Sequence, residues 1–416
     1  MPKKILFVHH FPGMGGAPLS LLYTIEKLDR ALYHPVVLFL ANQGDAIDLY
    51  RRKNIEIYTA PQIGFFPHGD NGWLKVKNIP EIIRRIFDIK QSVSLSIEIL
   101  KEIKPDIVHI NTSFPHAFGI ASKKMGIPLV WHIREPIAKG YFGIRRHFIQ
   151  KNINKCADAI IAISQNDANS MGKFCERVQV VYNYVDFSYF DKNINPEQCR
   201  KEVIGKHSVK DNVVTMLGGV VHSKGADIFL KAAAEIIKTR NDVIFILAGS
   251  KPELLYSSTK WKKELRLFLE KWRILDNMSL KCLRIVNKIH DKNRILFCGM
   301  VDNVPQILGA TNILVWPATM SHFSRPVIEA GAMSKVVIAS DFSSSRELVT
   351  HKFNGLLIKS GRVDALVDAI NHLLNNPEEA ERMGENGYKI ALERYNAITN
   401  TKVIFSIYEN LLNAQK

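Results

Sequence analysis

Short apolar runs alternate with helical patterns along the first half of the chain. Seven runs are strand candidates, at 4–10, 34–40, 55–60, 106–111, 128–133, 159–164 and 178–183. They lack a clean period of two, which is expected for strands buried on both faces of a parallel sheet. Helical patterns lie between them, as at 17–31 and 118–126. The pattern therefore predicts a doubly wound α/β domain.

The same alternation restarts near residue 212. Five further apolar runs are strand candidates, at 212–219, 242–250, 294–300, 312–317 and 335–341. Two successive series predict two doubly wound, Rossmann-like domains. We expect an N-terminal domain over 1–190, a C-terminal domain over 191–395, and a last amphipathic helix over 396–416 that packs back on the N-terminal domain.

Composition agrees with two ordinary domains. The chain has 416 residues, of which 46% are hydrophobic and 23% charged, as in soluble globular proteins. No apolar run approaches the roughly 20 residues that span a bilayer. The start reads as a first strand, and the five cysteines show no metal-ligand or disulfide spacing. These features predict a cytoplasmic protein with reduced thiols.

The net charge of +16 predicts an anionic partner. No nucleic-acid module is present, so a nucleotide or an anionic lipid surface is favoured over nucleic acid. Basic, partly aromatic segments at 74–103, 141–155 and 251–292 could rest on the inner face of the cell membrane. Each could equally be a solvated helix face over the core. Nothing in the sequence indicates an oligomeric state.

Three stretches carry candidate chemistry at ends of predicted strands. A glycine-rich turn at 13–16 lets backbone N–H groups approach a phosphate or a sugar, or it is only a tight turn. His132 ends a buried run and is either a sugar-binding or acid–base group or a core histidine. Lys224 begins a helix, where an ammonium suits a diphosphate, or it is simply exposed.

The stretch 320–333, MSHFSRPVIEAGAM, follows the apolar run TNILVWP. It predicts a buried strand, a turn, and a helix whose first turn contains Pro326. Glu329 is the one carboxylate on this approach. A strand that leads into a helix N-terminus is a common nucleotide or anion site.

Taken in order, the motifs resemble those of the GT-B nucleotide-sugar glycosyltransferases, specifically glycosyltransferase family 4. The matching stretches are GGA at 15–17, WHIRE at 131–135, VVYNYVD at 180–186, LGGVVHSKGAD at 217–227, FCGMVDNVPQIL at 297–308 and RPVIEAGAMSKVVIASDFSSSRELVTHKFNGLLI at 325–358. The resemblance implies two Rossmann-like domains that face each other across a cleft. It also implies transfer of a sugar, with retention of configuration, from a nucleoside-diphosphate sugar to a glycan or lipid-linked acceptor, in surface polysaccharide or glycolipid synthesis.

The resemblance assigns roles by position. The catalytic residues would be His132, Lys224 and Glu329. The donor-binding residues would be Gly15, Gly16, Ala17, Gly218, Lys224, Gly299, Met300, Val301, Ser321, His322, Phe323, Ser324, Arg325 and Glu329. The acceptor side would include Arg134, Glu135 and Asn183.

Within that set, Glu329 would hold the ribose hydroxyls and Lys224 the diphosphate. Gly16 would let its loop close on the phosphates and sugar, and the backbone near Met300 and Val301 would cradle the base. Beyond the donor itself, no cofactor is implied. No DxD triplet is present, so we expect no metal, with cationic side chains and helix dipoles neutralising the leaving diphosphate.

The chain departs from the family pattern at several positions. Ser321 replaces the first glutamate of a Glu-x₇-Glu pair, and Ser324 replaces a glycine. Gly219 replaces an arginine, and Ser343 and Ser344 replace glycines. Two hypotheses remain for the donor turn: an active enzyme in which His322 or Arg325 supplies the missing contacts, or a non-catalytic GT-B protein that binds glycan or supports an active transferase. A regulator of another nucleotide-binding class is disfavoured, because no P-loop or dinucleotide fingerprint occurs.

Overall fold

The computed structural model describes residues 1–64, 79–138, 143–205, 207–208, 210–252 and 278–414. The chain divides into two compact units. Unit 1 is Met1–Tyr184 with Ala397–Lys416, and unit 2 is Val185–Asn396.

Unit 1 contains a seven-stranded sheet in the order β3-β2-β1-β4-β5-β6-β7, with every pair of neighbours parallel. Its strands are β1 Lys3–His9, β2 Tyr33–Phe39, β3 Glu56–Thr59, β4 Ile107–Ile110, β5 Leu129–Ile133, β6 Ala159–Ala162 and β7 Val178–Val180. All seven apolar runs predicted as strands in this half form strands, and the predicted parallel, doubly wound architecture is confirmed.

Helices cover both faces of this sheet. They are α1 Gly16–Glu26, α2 Asp45–Arg52, α3 Ile79–Ile103, α4 His116–Met125, α5 Ile144–Cys156 and α6 Gln165–Asn169, followed by a 3₁₀ turn at Gly172–Arg177. Their ends follow ordinary capping chemistry. Helix α4 stops at Gly126, whose φ of 67° suits glycine, and the Ser164 hydroxyl caps α6 by accepting from the Asp167 N–H.

Successive residues of β1 enter two different cores. Leu6 and Val8 pack into the core that also holds α3, α4 and α5, whereas Ile5 and Phe7 pack into the core on the opposite face. All four side chains are fully buried, which stabilises the fold by about 1.5–3 kcal/mol each relative to exposure. Burial on both faces explains why the run shows no period of two.

Unit 2 contains a six-stranded parallel sheet in the order β10-β9-β8-β11-β12-β13. Its strands are β8 Asn212–Leu217, β9 Val243–Ala248, β10 Ile295–Gly299, β11 Ile313–Trp316, β12 Val336–Ser340 and β13 Gly355–Ile358. The five predicted strands are present. The edge strand β13 was not predicted, because only two of its four residues are buried and the strand follows a loop.

The helices of unit 2 flank that sheet. They are α7 Pro196–Ile204, α8 Ala226–Ile237, α9 Met278–Asn287, α10 Val304–Ala310, α11 Arg325–Ala332, α12 Ser343–Arg346, α13 Val363–Asn375 and α14 Pro377–Arg394. Short 3₁₀ turns lie at His222–Lys224 and Lys292–Arg294. Strands β8, β9 and β11 supply the centre of the core with α8, as in other doubly wound sheets.

The last helix, α15 at Ala397–Asn413, packs on unit 1. Ile404 and Tyr408 are fully buried in the same core as Phe7. The Asn400 side-chain amide donates to the Tyr182 carbonyl at 3.0 Å. The sheet of unit 1 is therefore covered on one face by a helix from the far end of the chain.

The basic segments are only partly described. Residues 74–78, 141–142 and 253–277 of these segments lie outside the described residues. In α3, the side chains of Val93, Leu100 and Ile103 are buried in the core. Among the described helices, none combines the length and the apolar character needed to cross a bilayer.

Candidate functional site

A buried polar cluster occupies the carboxyl edge of the unit 1 sheet. It contains His9 at the end of β1, His109 on β4, Asn111 directly after β4, His132 on β5 and Arg134 directly after β5. The carboxyl ends of parallel strands meet at one edge, so residues from distant parts of the chain converge there. This edge is where ligands bind in open α/β sheets.

Arg134 joins the members of this cluster. Its Nε donates to the Asn111 side-chain carbonyl, and its Nη1 donates to the Asn183 side-chain carbonyl at 2.9 Å. Its Nη2 lies 3.5 Å from Nδ1 of His132. The structure thus brings together Arg134, Asn183 and His132, three of the residues assigned from the sequence.

Glu135 has a different position. Its Oε1 accepts from the Thr112 hydroxyl and from the Ser113 backbone N–H, both at 3.0 Å. These bonds hold the turn between β4 and α4. Two of the contacts of Glu135 are therefore structural, although it lies next to Arg134 in the chain.

The glycine-rich turn after β1 adjoins the cluster through Asn111, whose amide donates to the Ala17 carbonyl at 3.4 Å. Gly15 has a φ of −170°, which is extended backbone, and a Cβ there would meet only Pro18 at an ordinary 4.0 Å. Helix α1 begins at Gly16. Unit 1 by itself does not require a glycine at position 15.

The three cluster histidines are neutral near pH 7. Burial, together with the nearby Arg134 charge, lowers the pKa of His109 to about 3 and lowers the pKa of His132 well below its usual value. Burial, then His10 and Arg134, lowers the pKa of His9 in the same direction. Each ring therefore offers one N–H donor and one lone pair.

His132 has one buried nitrogen without a partner. Its Nδ1 faces His109 and Arg134, whereas its Nε2 makes no hydrogen bond to any described residue. An unsatisfied buried group of this kind costs about 1–3 kcal/mol. The side chain is 2% exposed, and its Nε2 is suited to a hydrogen bond with a bound ligand.

Unit 2 has glycine turns at the carboxyl ends of three adjacent strands. They follow β8 at Gly218 and Gly219, follow β9 at Gly249, and end β10 at Gly299, all with positive φ. The backbones approach closely, because a Cβ on Gly249 would lie 2.4 Å from the Gly219 nitrogen. Such turns let a ligand approach the main chain.

Two lysine side chains lie over these turns. A Cβ at Gly218 would lie 2.6 Å from Cδ of Lys224, and a Cβ at Gly299 would lie 2.6 Å from Cε of Lys251. Burial lowers the pKa of Lys224. The glycine turns therefore carry two ammonium-bearing side chains, of which the sequence analysis identified only Lys224.

Trp316, at the end of β11, connects Lys224 with the predicted donor turn. The Lys224 ammonium lies 6.0 Å from the centre of the indole ring, and the His322 ring packs edge-on against the same indole at 5.3 Å. The Thr319 N–H donates to the Ser223 carbonyl at 3.0 Å. Gly218, Lys224 and His322 are therefore parts of one local site.

The predicted ribose ligand Glu329 lies in α11 and is paired with Arg325. The Arg325 Nε donates to Oε1 of Glu329 at 2.9 Å, and Nη2 lies 2.9 Å from the same oxygen. Both side chains are nearly buried. The second oxygen, Oε2, makes no hydrogen bond within the described chain. The sequence analysis placed both residues in the donor site but did not predict that they pair.

Ser321 replaces the first expected carboxylate and contacts another serine instead. Its hydroxyl lies 2.9 Å from that of Ser344 and 3.4 Å from that of Ser343. Phe323 is buried against Tyr395, and the buried Ser324 hydroxyl makes no hydrogen bond to a described residue. Three of the four substituted serines, Ser321, Ser343 and Ser344, therefore lie in contact at this turn.

The predicted base-binding backbone follows directly after β10. The Met300 side chain is 68% exposed, and Val301 is partly exposed. This segment is open to solvent within unit 2, as a backbone that cradles a base would have to be. No group of three or more His, Cys, Asp or Glu side chains with metal-site geometry occurs among the described residues.

Sequence reasoning missed several members of these clusters. His9 and His109 end or occupy buried strands, so the signal that identified His132 could have identified them as well. Lys251 follows a buried strand and a glycine, which is a weaker signal. Tyr408 contacts His109 from α15, and no local pattern indicates that contact.

Two family models match the chain. The model described as Glycosyltransferase Family 4 matches residues 14–189, and the model described as Glycosyl transferases group 1 matches residues 200–390. Together they span most of both units and include the unit 1 polar cluster apart from His9, as well as the glycine turns and donor turn of unit 2.

Named relatives and solved structures are similar to the chain over most of its length. The UDP-Gal:alpha-D-GlcNAc-diphosphoundecaprenol alpha-1,3-galactosyltransferase of Escherichia coli is 25% identical over 70% of this chain and 73% of that protein. The N-acetyl-alpha-D-glucosaminyl L-malate synthase of Bacillus anthracis is 22% identical over 77% of this chain and 78% of that protein. A crystal structure of Anabaena Alr3699/HepE in complex with UDP and glucose is 21% identical, with a TM-score of 0.74 over 98% of this chain and 100% of that chain.

Proposed function

Because the chain belongs to the family 4 glycosyltransferases and has the GT-B fold, we propose that it transfers a sugar from a uridine diphosphate sugar to a lipid-linked or polysaccharide acceptor, with retention of configuration. The chain is a glycosyltransferase, and its relatives include enzymes named for a UDP-galactose donor and for lipopolysaccharide core synthesis. The choice of uridine rests on the Anabaena structure with UDP and on the named galactosyltransferase donor.

The buried Arg325–Glu329 pair is the observation that carries the donor proposal. Arg325 holds Oε1 of the carboxylate in place at 2.9 Å and leaves Oε2 to accept hydrogen bonds from a vicinal diol. A ribose presents such a diol. Among the described residues, Oε2 is not one of the buried atoms that lack a hydrogen-bond partner, so it is accessible to a ligand hydroxyl.

The diphosphate is assigned to the glycine turns of unit 2. The leaving group develops negative charge as the glycosidic bond to phosphate breaks, and fixed cations and backbone dipoles stabilise that charge most effectively when water is excluded. Lys224 and Lys251 lie over these turns, next to the exposed backbone at Met300. No metal or further cofactor enters the proposal.

Unit 1 is assigned the acceptor and one contact to the transferred sugar. Arg134 and Asn183 form a fixed polar surface at the sheet edge, and His132 offers its Nε2 to a sugar hydroxyl. If Nε2 of the neutral His132 donates its proton to a sugar hydroxyl, the same nitrogen cannot also take up the proton of the attacking acceptor. The leaving phosphate is therefore proposed to accept the acceptor's proton, as the family resemblance implies.

The acceptor is proposed to be presented at the inner face of the cell membrane, with the protein in the cytoplasm. On α5 the side chains of Ile144 and Phe148 are 71% and 46% exposed, beside the exposed Lys151 and Lys155. Exposed apolar groups flanked by cations suit an anionic bilayer surface. The E. coli relative is named for a diphosphoundecaprenol acceptor, which is a lipid.

A donor screen tests the proposed function. The purified protein is incubated with UDP-, GDP- and ADP-sugars, and sugar release is followed without an acceptor. We expect release from one or more UDP-sugars, and stabilisation of about 2.7 kcal/mol at a UDP concentration near 100 times its dissociation constant. Absence of both effects with every nucleotide would instead support the non-catalytic GT-B alternative.

Sedimentation with liposomes tests the membrane proposal separately. We expect binding to vesicles that contain anionic lipid, weakening as salt is raised. Ile144→Ser with Phe148→Ser should reduce binding, whereas Leu32→Ser, at an exposed apolar position outside α5, should not. Equal binding by both variants, or binding that salt does not affect, contradicts the proposed role of α5.

A further inference from the structure

Three side chains from three separate elements of unit 1 form a continuous line of hydrogen-bonding contacts. The Tyr408 hydroxyl of α15 lies 2.5 Å from Nδ1 of His109 on β4. The Nε2 of His109 lies 3.2 Å from Nδ1 of His132 on β5. All three side chains are at most 2% exposed, so water does not compete for these contacts.

The position of Arg134 decides which atom donates and which accepts in each of these contacts. A guanidinium has donors and no acceptor, and its Nη2 lies 3.5 Å from Nδ1 of His132. That nitrogen therefore carries the lone pair, and the His132 proton lies on Nε2. His109 must then donate from its Nε2, so its own Nδ1 accepts from the Tyr408 hydroxyl. In this arrangement every contact in the line pairs one donor with one acceptor.

The electrostatics of the cluster favour neutral histidine rings. Only a neutral ring has one donor and one acceptor nitrogen, as the assignment above requires. Burial and Arg134 lower the pKa of His109 and of His132, in each case with burial as the larger cause. A protonated ring would carry two N–H groups, and His132 would then present an N–H to the Arg134 cation. The charged form is disfavoured by both effects.

We propose that Tyr408 is a positioning residue, which acts through His109 to hold His132 as the tautomer that donates from Nε2 to an oxygen of the transferred sugar. This inference rests on the proposed function for the identity of the ligand only. The arrangement of protons in the line is a property of unit 1 and can be measured without any substrate.

The reverse arrangement defines the result that would overturn the proposal. If His109 donated from Nδ1 to the Tyr408 oxygen, its Nε2 would accept from Nδ1 of His132. The Nε2 of His132 would then carry a lone pair and could accept a proton but could not donate one. The two arrangements predict opposite protonation of the same nitrogen.

Nitrogen NMR of the full chain labelled with ¹⁵N-histidine separates them. The ring signals of His132 and His109 are assigned by their loss in His132→Gln and His109→Gln. We expect both histidines to be protonated at Nε2 in the wild type near pH 7. In Tyr408→Phe we expect the His109 and His132 signals to move toward a mixture of tautomers. Protonation of His132 at Nδ1 in the wild type, or unchanged signals in Tyr408→Phe, overturns the proposal.

Kinetics provide a second readout with a matched control. Tyr33 is also buried, its ring centre is 6.2 Å from that of Tyr408, and its hydroxyl makes no hydrogen bond within the described residues. We expect Tyr408→Phe to lower kcat for donor hydrolysis by about tenfold or more, because a histidine in the wrong tautomer contributes little. The KM for the donor should change little, and Tyr33→Phe should leave kcat near wild type.

Substitution at His109 tests the line from its middle. The Gln side-chain amide can place an N–H donor where His109 Nε2 lies, whereas Leu cannot. We expect His109→Gln to retain more of kcat than His109→Leu, at similar melting temperatures.

Equal kcat in Tyr408→Phe, Tyr33→Phe and wild type overturns the inference and leaves the proposed function standing. A wild-type protein without turnover refutes the proposed function, and the NMR result still decides the tautomer.

Discussion

The hydroxyl oxygen of Ser321 lies 2.9 Å from that of Ser344, so two positions at which the chain departs from its family touch each other. Ser321 follows β11, and Ser344 lies in α12 and is fully buried. In the family pattern these positions are a glutamate and a glycine. We therefore expect the smaller side chain at 321 to compensate for the larger one at 344.

Restoring the family residues should show this compensation as non-additivity. Ser321→Glu alone should lower the free energy of unfolding, because the longer side chain meets the buried Ser344. The double variant Ser321→Glu/Ser344→Gly should recover part of that loss, giving a coupling energy of about 0.5 kcal/mol or more. Urea unfolding of the two single variants and the double variant measures the coupling. Additive effects would show that the two serines are independent.

The pairing of Glu329 with Arg325 predicts a defined effect on ribose recognition. Glu329→Gln should weaken UDP binding by about tenfold, because a charge-assisted hydrogen bond to the ribose diol becomes a neutral one. It should also remove most of the preference for UDP over its 2′,3′-dideoxy analogue. Calorimetric titration of both ligands measures this.

The control for that experiment is Glu381→Gln, an exposed carboxylate of α14 in the same unit. Circular dichroism would check that the Glu329 variant is folded, because Arg325 loses its charged partner in it. An unchanged preference for UDP over the dideoxy analogue would falsify the ribose assignment.

We predict that the arginine of the family pattern cannot be introduced at Gly219 without destabilising the loop. Its φ is 74°, and a Cβ would lie 2.3 Å from the Ser250 nitrogen. Gly361 has a similar φ of 81° but no atom within 4 Å of its Cβ position. Both Gly→Ala changes incur backbone strain of about 1–2 kcal/mol, and only Gly219→Ala adds overlap with backbone.

Thermal unfolding of this pair measures the difference. We expect Gly219→Ala to be the less stable variant by at least about 1 kcal/mol, and Gly219→Arg not to raise affinity for UDP. Equal stability of the two alanine variants would show that the loop at Ser250 moves aside easily.

Because two lysines lie over the glycine turns, we expect their substitution to weaken the binding of phosphate-bearing ligands only. Lys224→Met and Lys251→Met should each weaken binding of UDP by about tenfold, or 1.4 kcal/mol, and should leave binding of uridine nearly unchanged. Lys238→Met, at an exposed position on unit 2, is the control. If either variant weakens uridine as much as UDP, that lysine does not bind the diphosphate.

The buried histidines predict acid lability. His109 has a folded pKa of about 3, below the unfolded value near 6.5, so the unfolded chain binds the extra proton between these two values. Stability is then fully present above about pH 6.5 and falls as the pH drops toward 3, by about 1.4 kcal/mol per pH unit for each such histidine. His9 and His132 are lowered in the same direction and add to the slope.

Urea unfolding from pH 7 to 4 measures that slope. His109→Gln should flatten it relative to wild type, whereas His147→Gln, which removes an exposed histidine of α5, is the matched control. If both variants show the wild-type slope, His109 is not held neutral by its surroundings.

Much of the fold could be predicted from the sequence because both faces of each central strand are buried. Ile5 to Val8 enter two cores in alternation, so the run is apolar throughout, and that pattern is visible without a structure. The edge strand β13 was missed because an edge position requires less burial. Its residues Leu357 and Ile358 are only partly buried.

The candidate site was predictable where a residue lies near the end of a buried strand, as His132 does, or in the turn after one, as Lys224 does. Contacts between elements were not, because they depend on which strands become neighbours. The approach of His109 to His132 follows from the pairing of β4 with β5, and the contact of Ser321 with Ser344 follows from the pairing of β11 with β12. Neither pairing is encoded in local spacing.

The packing of α15 on unit 1 also has a consequence for biosynthesis. The residues from Val185 to Asn396 are translated between the two parts of unit 1. At about 5–20 residues per second that interval lasts roughly tens of seconds. Throughout it, the core that holds Phe7 and Tyr33 lacks the helix that covers it, and His109 lacks its tyrosine. The nascent first sheet therefore exposes apolar surface of that core to solvent until α15 has left the ribosome.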